Sequence, residues 1–381
     1  MASPLMAQQD TSLARTILSE AIALVDKEKY AEAAAGLKKG ISLMENAGAQ
    51  ESVLYAGLLH QYAAVMLKTN RPDTAIVINR SAMAIRERLL GYVSEPVARS
   101  LLNIGQCYYA KLNMAKCREF SLKSLAIARK LPPGMEEASA SAYNNISNSY
   151  VQSGDLRTAL LYADSALHIR LAATVPDTAN LVKSYNNTGN LFTLLGLHDK
   201  SVPMLERSLE LKLAYYGKWH RETGIAYCNL GAAVFFSGNN ERSFQLIATS
   251  LEIKKKVLQP DDFEMAESYA NLMLPLVATG EYDKAVEYGK NALAVVKKYG
   301  LRGAYISGIV HLATGNALVY KDELDAAIEQ FDAALNFFAL TRNNSLAADV
   351  LNNIGGAYGQ KKDYPNQKKY FRQALSRKQS I

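Results

Sequence analysis

The chain has 381 residues, 49% of them hydrophobic and 21% charged, and its 10 prolines and 23 glycines leave little room for linkers or low-complexity tracts. Seven Lys or Arg against Asp349 and Asp363 place +5 of the formal charge of +7 in residues 348–381, leaving +2 for the rest. That is a basic tip and not a basic groove, so no nucleic-acid partner is expected, and no run approaches the roughly eighteen apolar residues of a membrane helix, so no membrane partner is expected either.

In chain order, residues 1–12 are expected to be an N-terminal tail without the basic segment and apolar run of an export signal. The expected location is cytoplasmic, and the exported alternative holds if residues 3–8 are a signal-peptide remnant. From residue 13 onward one pattern recurs. A small residue sits four after a Tyr or Leu and three before another large residue, as in Leu101-Leu102-Asn103-Ile104-Gly105, Tyr143-Asn144-Asn145-Ile146-Ser147, Tyr185-Asn186-Asn187-Thr188-Gly189, Tyr227-Cys228-Asn229-Leu230-Gly231 and Leu351-Asn352-Asn353-Ile354-Gly355. With weaker copies at Ala21, Ala63, Met273 and Gly315, the small position runs 21, 63, 105, 147, 189, 231, 273, 315 and 355, a spacing of 42 seven times and then 40. The chain is therefore read as one array over 13–381, in nine repeats of about 14–55, 56–97, 98–139, 140–181, 182–223, 224–265, 266–307, 308–347 and 348–381.

Within each repeat, large apolar residues at positions 4, 7 and 11 (Tyr143, Ile146 and Tyr150 in the fourth) trace one face of a helix. A turn follows, often with Gly at position 15, and a second helix carries small residues at 20 and 27, such as Ala159, Ala166, Ala285 and Ala292. The small residue at position 8 is expected to face the one at 20, so that the two helices approach closely, and position 27 to face the next repeat. Pro203 and Pro275 fall inside predicted helices and are expected to kink them. The last helix carries Tyr370, Phe371, Ala374 and Leu375 on one face with no further helix to cover them. A stacked array needs polar end caps, so that end is expected to self-associate or to precede a covalently following domain.

No phosphate loop, HExxH or paired CxxC occurs, and His60, His168, His198, His220 and His311 are scattered over different repeats. No catalytic residue, metal site or cofactor is expected. Cys107, Cys117 and Cys228 are read as buried thiols, with a redox pair of Cys107 and Cys117 as the alternative. The cations late in the second helices (Arg86, Arg88, Arg129, Lys130, Arg170, Lys212, Lys254 to Lys256, Lys297 and Lys298) are read as complementing helix C-termini.

A period of about 42 also fits HEAT and armadillo arrays. The pattern of a small residue at 8, a large one at 11 and Ala at 20 and 27 resembles the tetratricopeptide repeat, from about Leu13 to Lys378, in units about eight residues longer than the usual one. The stretches Leu209-Glu210-Leu211-Lys212 to Tyr216-Gly217-Lys218-Trp219-His220 and Ala84-Ile85-Arg86-Glu87-Arg88-Leu89-Leu90-Gly91 are similar to the long repeats of kinesin light chains and bacterial signalling proteins. The resemblance implies an all-α superhelical solenoid of nine antiparallel helix hairpins that binds an extended peptide or partner protein without catalysis. Its alternative is a sensory or regulatory module of a larger signalling protein, whose effector (a caspase-like protease, a kinase or a transcription regulator) lies outside this chain.

In such a solenoid, positions 2, 5, 6, 9 and 13 of the first helices line the concave groove. Position 6 is Asn at Asn103, Asn145, Asn187, Asn229, Asn271 and Asn353, position 5 at Asn144, Asn186 and Asn352, and position 9 adds Gln106, Asn148, Asn190 and Asn316. Asn is a mediocre helix former, so a fixed register of it needs a reason. One is an asparagine ladder of the kind some tetratricopeptide proteins use on a peptide backbone. The other is that each amide bonds a neighbouring helix. The lining also changes along the chain, from Arg99, Ser141 and Lys183 at position 2 to an apolar stretch with Ile225, Phe236, Leu274, Ile309, Leu312 and Tyr320. Phe236 and Tyr320 are the expected side-chain anchors.

Overall fold

A computed structural model describes residues 4–27, 29–173, 177–341 and 343–379. Among them are eighteen α-helices, one 3-10 segment (Lys297–Gly303) and no strand. In order they are α1 (Pro4–Asp26), α2 (Tyr30–Asn46), α3 (Val53–Lys68), α4 (Pro72–Leu90), α5 (Glu95–Ala110), α6 (Met114–Ala128), α7 (Glu137–Gln152), α8 (Leu156–Ala172) and α9 (Thr178–Leu194). There follow α10 (His198–Tyr216), α11 (Arg221–Phe236), α12 (Asn240–Val257), α13 (Phe263–Ala278), α14 (Tyr282–Val296), α15 (Ala304–Tyr320), α16 (Leu324–Leu340), α17 (Asn344–Gln360) and α18 (Tyr364–Gln379). The chain divides into two compact units, Met1–Leu191 and Phe192–Ile381, each a stack of helix hairpins. The residues expected to form a tail are helical from Pro4 onward. Pro203 and Pro275 lie within uninterrupted helices α10 and α13, so neither ends its helix. Pro275 is fully packed, and that packing holds the helix through it.

The turn inside each hairpin explains position 15. From the second hairpin on, that residue is left-handed in every repeat: Gly154, Gly196, Gly238 and Gly280, but also Asn70, Leu112, Asp322 and Lys362. The amide of the next residue then closes back onto the first helix, as Asp155 N does onto Tyr150 O at 3.0 Å. Side chains start several second helices: Asn113, Asp155 and Asn239 accept from the backbone N–H three residues later.

The small residue at position 8 meets position 20, as expected from spacing, where Ser147 Oγ donates to Ala159 O and Ser243 Oγ to Gly231 O, each at 2.8 Å, and it also meets the side chain at position 24. A Cβ on Gly315 would collide with the Phe331 ring, one on Gly355 with the Phe371 ring at 2.6 Å, and one on Gly105 would press the Ser121 hydroxyl at 3.1 Å. The seventh hairpin reverses the arrangement. There position 8 is Met273, and the Gly is at position 24, where a Cβ on Gly289 would meet Met273 Cε at 2.8 Å. The two positions share one volume, filled from whichever helix carries the larger side chain.

Successive hairpins are joined by a second pairing. Arg86, Arg170, Lys212 and Lys254, all at position 31, are buried and are not the exposed helix-end charges the sequence suggests. Arg86 donates to Ser100 Oγ at 2.7 Å and Pro96 O at 3.0 Å, and Arg170 to Ser184 Oγ at 2.7 Å and bidentately to Glu137. Lys254 donates to Ser268 Oγ at 2.9 Å and Glu264 O at 3.0 Å. The serines occupy position 3 of the following repeat. Lys212 faces Ala226 there and turns instead to Glu222 at 2.9 Å. Where position 31 is apolar, so is its successor's position 3: Met44 with Leu58, Ala128 with Ala142, Val296 with Val310, Phe338 with Val350, all buried. Apart from the Lys212 seam, where Glu222 takes the charge, each seam is wholly polar or wholly apolar.

Candidate functional site

A helix that buries positions 4, 7, 8 and 11 leaves 2, 6, 9 and 13 on its opposite side. In the first unit that side is amide-rich, and much of it is engaged internally. Asn103 Nδ2 lies 3.3 Å from a ring nitrogen of His60, whose ring also meets Arg86. Burial, then the charges of Arg86 and Arg99, hold the His60 pKa down at about 3, so the ring is neutral and accepts. Asn145 donates to Leu102 O at 3.4 Å on the preceding first helix. Asn144 is buried, away from the open side, with its Oδ1 unpaired among the described residues. Asn148, Asn187 and Asn190 are half-buried, and no side-chain hydrogen bond occupies them among the described residues. Asn186 is half-buried and engaged.

In the second unit, Asn271 donates to the Cys228 thiol at 3.2 Å and Asn353 to Asn316 Oδ1 at 2.9 Å. Asn229 is half-buried and engaged, whereas Asn352 is half-buried without a side-chain bond. Position 6 thus mostly ties one first helix to the one before it, and the unoccupied amides are Asn187 at position 6, Asn352 at position 5 and Asn148 and Asn190 at position 9.

A groove of about 450 Å³ opens in the second unit between α11, α13, α15 and α17. Leu274, Val277 and Tyr320 form its apolar wall and Asn316, Asn352 and Gln360 its polar one. Tyr320 is 67% exposed and stacks parallel on Tyr282, with centroids 5.6 Å apart, giving a flat aromatic rim. Phe236, the other expected anchor, does not line this groove. Its ring is stacked on His198 at 5.8 Å, and its neighbour Phe235 faces the groove instead. One residue along a helix rotates a side chain by about 100°, so position 13 and position 12 point to different places. Sequence spacing flagged Phe236 and not Phe235 for the open face, and carried no signal for the tyrosine stack.

Groups with chemistry of their own are few. Among the described residues no three His, Cys, Asp or Glu gather as metal ligands, and no helix is long and apolar enough to cross a membrane. The three cysteines are free and buried. Burial, helped by Asp73, pushes the Cys107 thiol up to about 12, and burial also raises Cys117. Both thiols are therefore expected to react with iodoacetamide at pH 8 at least about tenfold more slowly in the native chain than in guanidinium. Equal rates in a mass-spectrometric time course would refute that burial.

At the other end of this unit, Tyr370 stacks on Tyr358 at 5.4 Å and Ala374 is buried, while Phe371 and Leu375 stay 40% and 60% exposed.

Models of the family described as tetratricopeptide repeat match residues 96–172, 180–256 and 348–381. A secreted RxLR effector protein, RXLR-C07, of Plasmopara halstedii is 22% identical over 248 residues, covering 54% of this chain and 75% of that protein. Among solved structures, a Rap protein complexed with competence and sporulation factor superposes with a TM-score of 0.66 at 15% identity, over 97% of this chain and 98% of that one. The Rap conjugation gene regulator of plasmid pLS20, in complex with the Phr* peptide, does so with a TM-score of 0.59 at 14% identity, over 89% and 94%. At these identities the structural likeness is one of fold.

Proposed function

This chain is a tetratricopeptide-repeat protein, and from that premise we propose that it is a non-catalytic binding protein whose inner faces hold an extended segment of a partner. The observation that carries this reading is the second unit's groove, with unoccupied amides beside an exposed tyrosine stack. An extended peptide presents a backbone donor or acceptor about every 3.3 Å and alternates its side chains. An amide answers either backbone group, and an apolar wall takes the side chain on one side. Tyrosine is suited to that wall because it offers a large contact area at small entropic cost. The pLS20 regulator, solved with a peptide, supports the reading by its shared fold.

Panning a random dodecapeptide phage library against the full chain tests it. Enriched peptides are expected to lose about tenfold or more in affinity against Tyr320→Ala/Asn352→Ala, since a buried aromatic anchor is worth roughly 1.5–3 kcal/mol. Both residues are open to the groove, so the variant should melt like the parent. Failure to enrich any peptide, or enrichment indifferent to the double change, would sink the proposal.

A further inference from the structure

Within the second unit every hairpin is entered and left at the same edge. The joins from α10 to α15 (217–220, 258–262 and the 3-10 segment Lys297–Gly303) therefore form a row along it. Side-chain contacts tie that row into one strip. The Lys256 ammonium, at the end of α12, lies 3.4 Å from the centroid of the Trp219 ring, and that of Lys218 lies 4.6 Å from it. Lys298 pairs with Asp261, the Tyr299 hydroxyl donates to Asp261 O at 3.0 Å, and the Arg302 guanidinium stands 4.5 Å from the Phe263 centroid. These contacts pin the 3-10 segment to the join before it and leave Leu301 outside. At 75% exposure, Leu301 is the most exposed large apolar side chain among the described residues of the unit.

The strip is apolar and basic at once. Tyr215, Trp219, Val257 and Leu301 are all exposed along it. Lys218, Lys255 and Lys297 are exposed among them and make no ion pair among the described residues. The carboxylates of the strip are already engaged. Lys298, Lys256 and Arg221 hold Asp261, Glu252 and Glu264, and Asp262 accepts from the Gln259 N–H at 2.9 Å. The opposite edge, where the turns inside the hairpins lie, differs in charge: there Asp283, Glu323 and Asp325 hold Lys321 and Lys361 in ion pairs. Apolar side chains exposed singly are ordinary. A connected row of them, with unpaired lysines between and a tryptophan at one end, matches what the surface of an anionic bilayer takes up. Indole settles at the headgroup level, aliphatic side chains go below it, and ammonium groups meet the anionic headgroups. A nucleic-acid strand would use the lysines and the rings but leave Val257 and Leu301 in water.

We propose that this edge of the second unit rests on an anionic lipid bilayer, with Trp219 and Leu301 entering the headgroup layer and Lys218, Lys255 and Lys297 pairing its anionic groups. The contact is peripheral and needs no spanning helix. It uses none of the residues of the Tyr320 groove, so it stands apart from the peptide-binding reading.

Trp219 is the one tryptophan of the chain, so its fluorescence reports on this edge alone. The full chain is titrated with vesicles of phosphatidylcholine, and with vesicles in which a quarter of the lipid is phosphatidylserine. The anionic vesicles are expected to shift the emission to the blue and to bind at least about tenfold more tightly than the neutral ones, with affinity falling as salt is raised. Lys218→Glu/Lys255→Glu/Lys297→Glu should abolish both effects. Leu301→Ser, which leaves every charge in place, should weaken binding by about fivefold or more. All four side chains are exposed, and matched melting curves verify folding. The proposal is overturned if the two kinds of vesicle act alike, if the emission does not move, or if either variant binds like the parent. It is equally overturned if an aspartate decapeptide or a deoxythymidine decamer shifts the emission as far as the anionic vesicles do, which would make the edge a contact for protein or nucleic acid.

Discussion

Replacing Phe331 by alanine is expected to destabilise the hairpin of α15 and α16 by about 3–5 kcal/mol, the usual cost of emptying a core phenylalanine site. Phe331 is wholly buried and fills the volume that Gly315 leaves opposite it. The seventh hairpin shows the same volume filled from the other side, by Met273 over Gly289. Adding Gly315→Met to Phe331→Ala is therefore expected to recover at least half of the loss, although Gly315→Met alone should be disruptive through overpacking. Because arrays of hairpins need not unfold in one step, the measurement is native-state hydrogen exchange in α15 and α16. There the single change should lower protection by about two to four orders of magnitude. Simple additivity of the two changes would show that positions 8 and 24 do not share one space.

The second large effect concerns the seam between α12 and α13. Ser268→Val takes a hydrogen-bond partner from the wholly buried Lys254 ammonium and sets an apolar side chain against it. A cost of about 1.5–3 kcal/mol is expected, the range for hydrogen bonds to charged groups. Adding Lys254→Met turns the seam into the apolar kind that Val296 and Val310 already form, and the double variant should return to within about 1 kcal/mol of the parent. A double variant as unstable as Ser268→Val would mean that the polar seam is required for reasons beyond satisfying its own charge. Exchange in α13 would report either result.

The repeat itself was plain in the sequence because nine copies reinforce one another, and each helix lies where its periodic apolar residues put it. What spacing alone missed were some of the partners. Position 8 faces 24 as well as 20, since a linear pattern identifies the buried stripe but not every residue that stands across from it. The seventh hairpin's reversed pair, Met273 and Gly289, was the signal that links the two. Arg86, Arg170 and Lys254 looked like helix-end charges because burial of a cation leaves no mark in its own helix. The mark is in the next repeat, as Ser100, Ser184 and Ser268. On the inner face, the row at position 6 was visible but its use was not. An amide bonded to its neighbour and one left open, Asn145 and Asn148, are spelled alike. Phe236 stands outside the groove that Phe235 lines because a one-residue step changes the face.

The matched seams also limit how such a chain can gain or lose hairpins over evolutionary time. Excising the third repeat alone would set Arg86 against Ala142 and take away its serine acceptor, whereas excising the third and fourth together would set it against Ser184 and leave the seam intact. Polar and apolar seams act as a phase: duplications and deletions are tolerated where the phase is kept. Length variation among relatives of this chain is then expected to occur in blocks whose two ends match, and not in arbitrary single repeats.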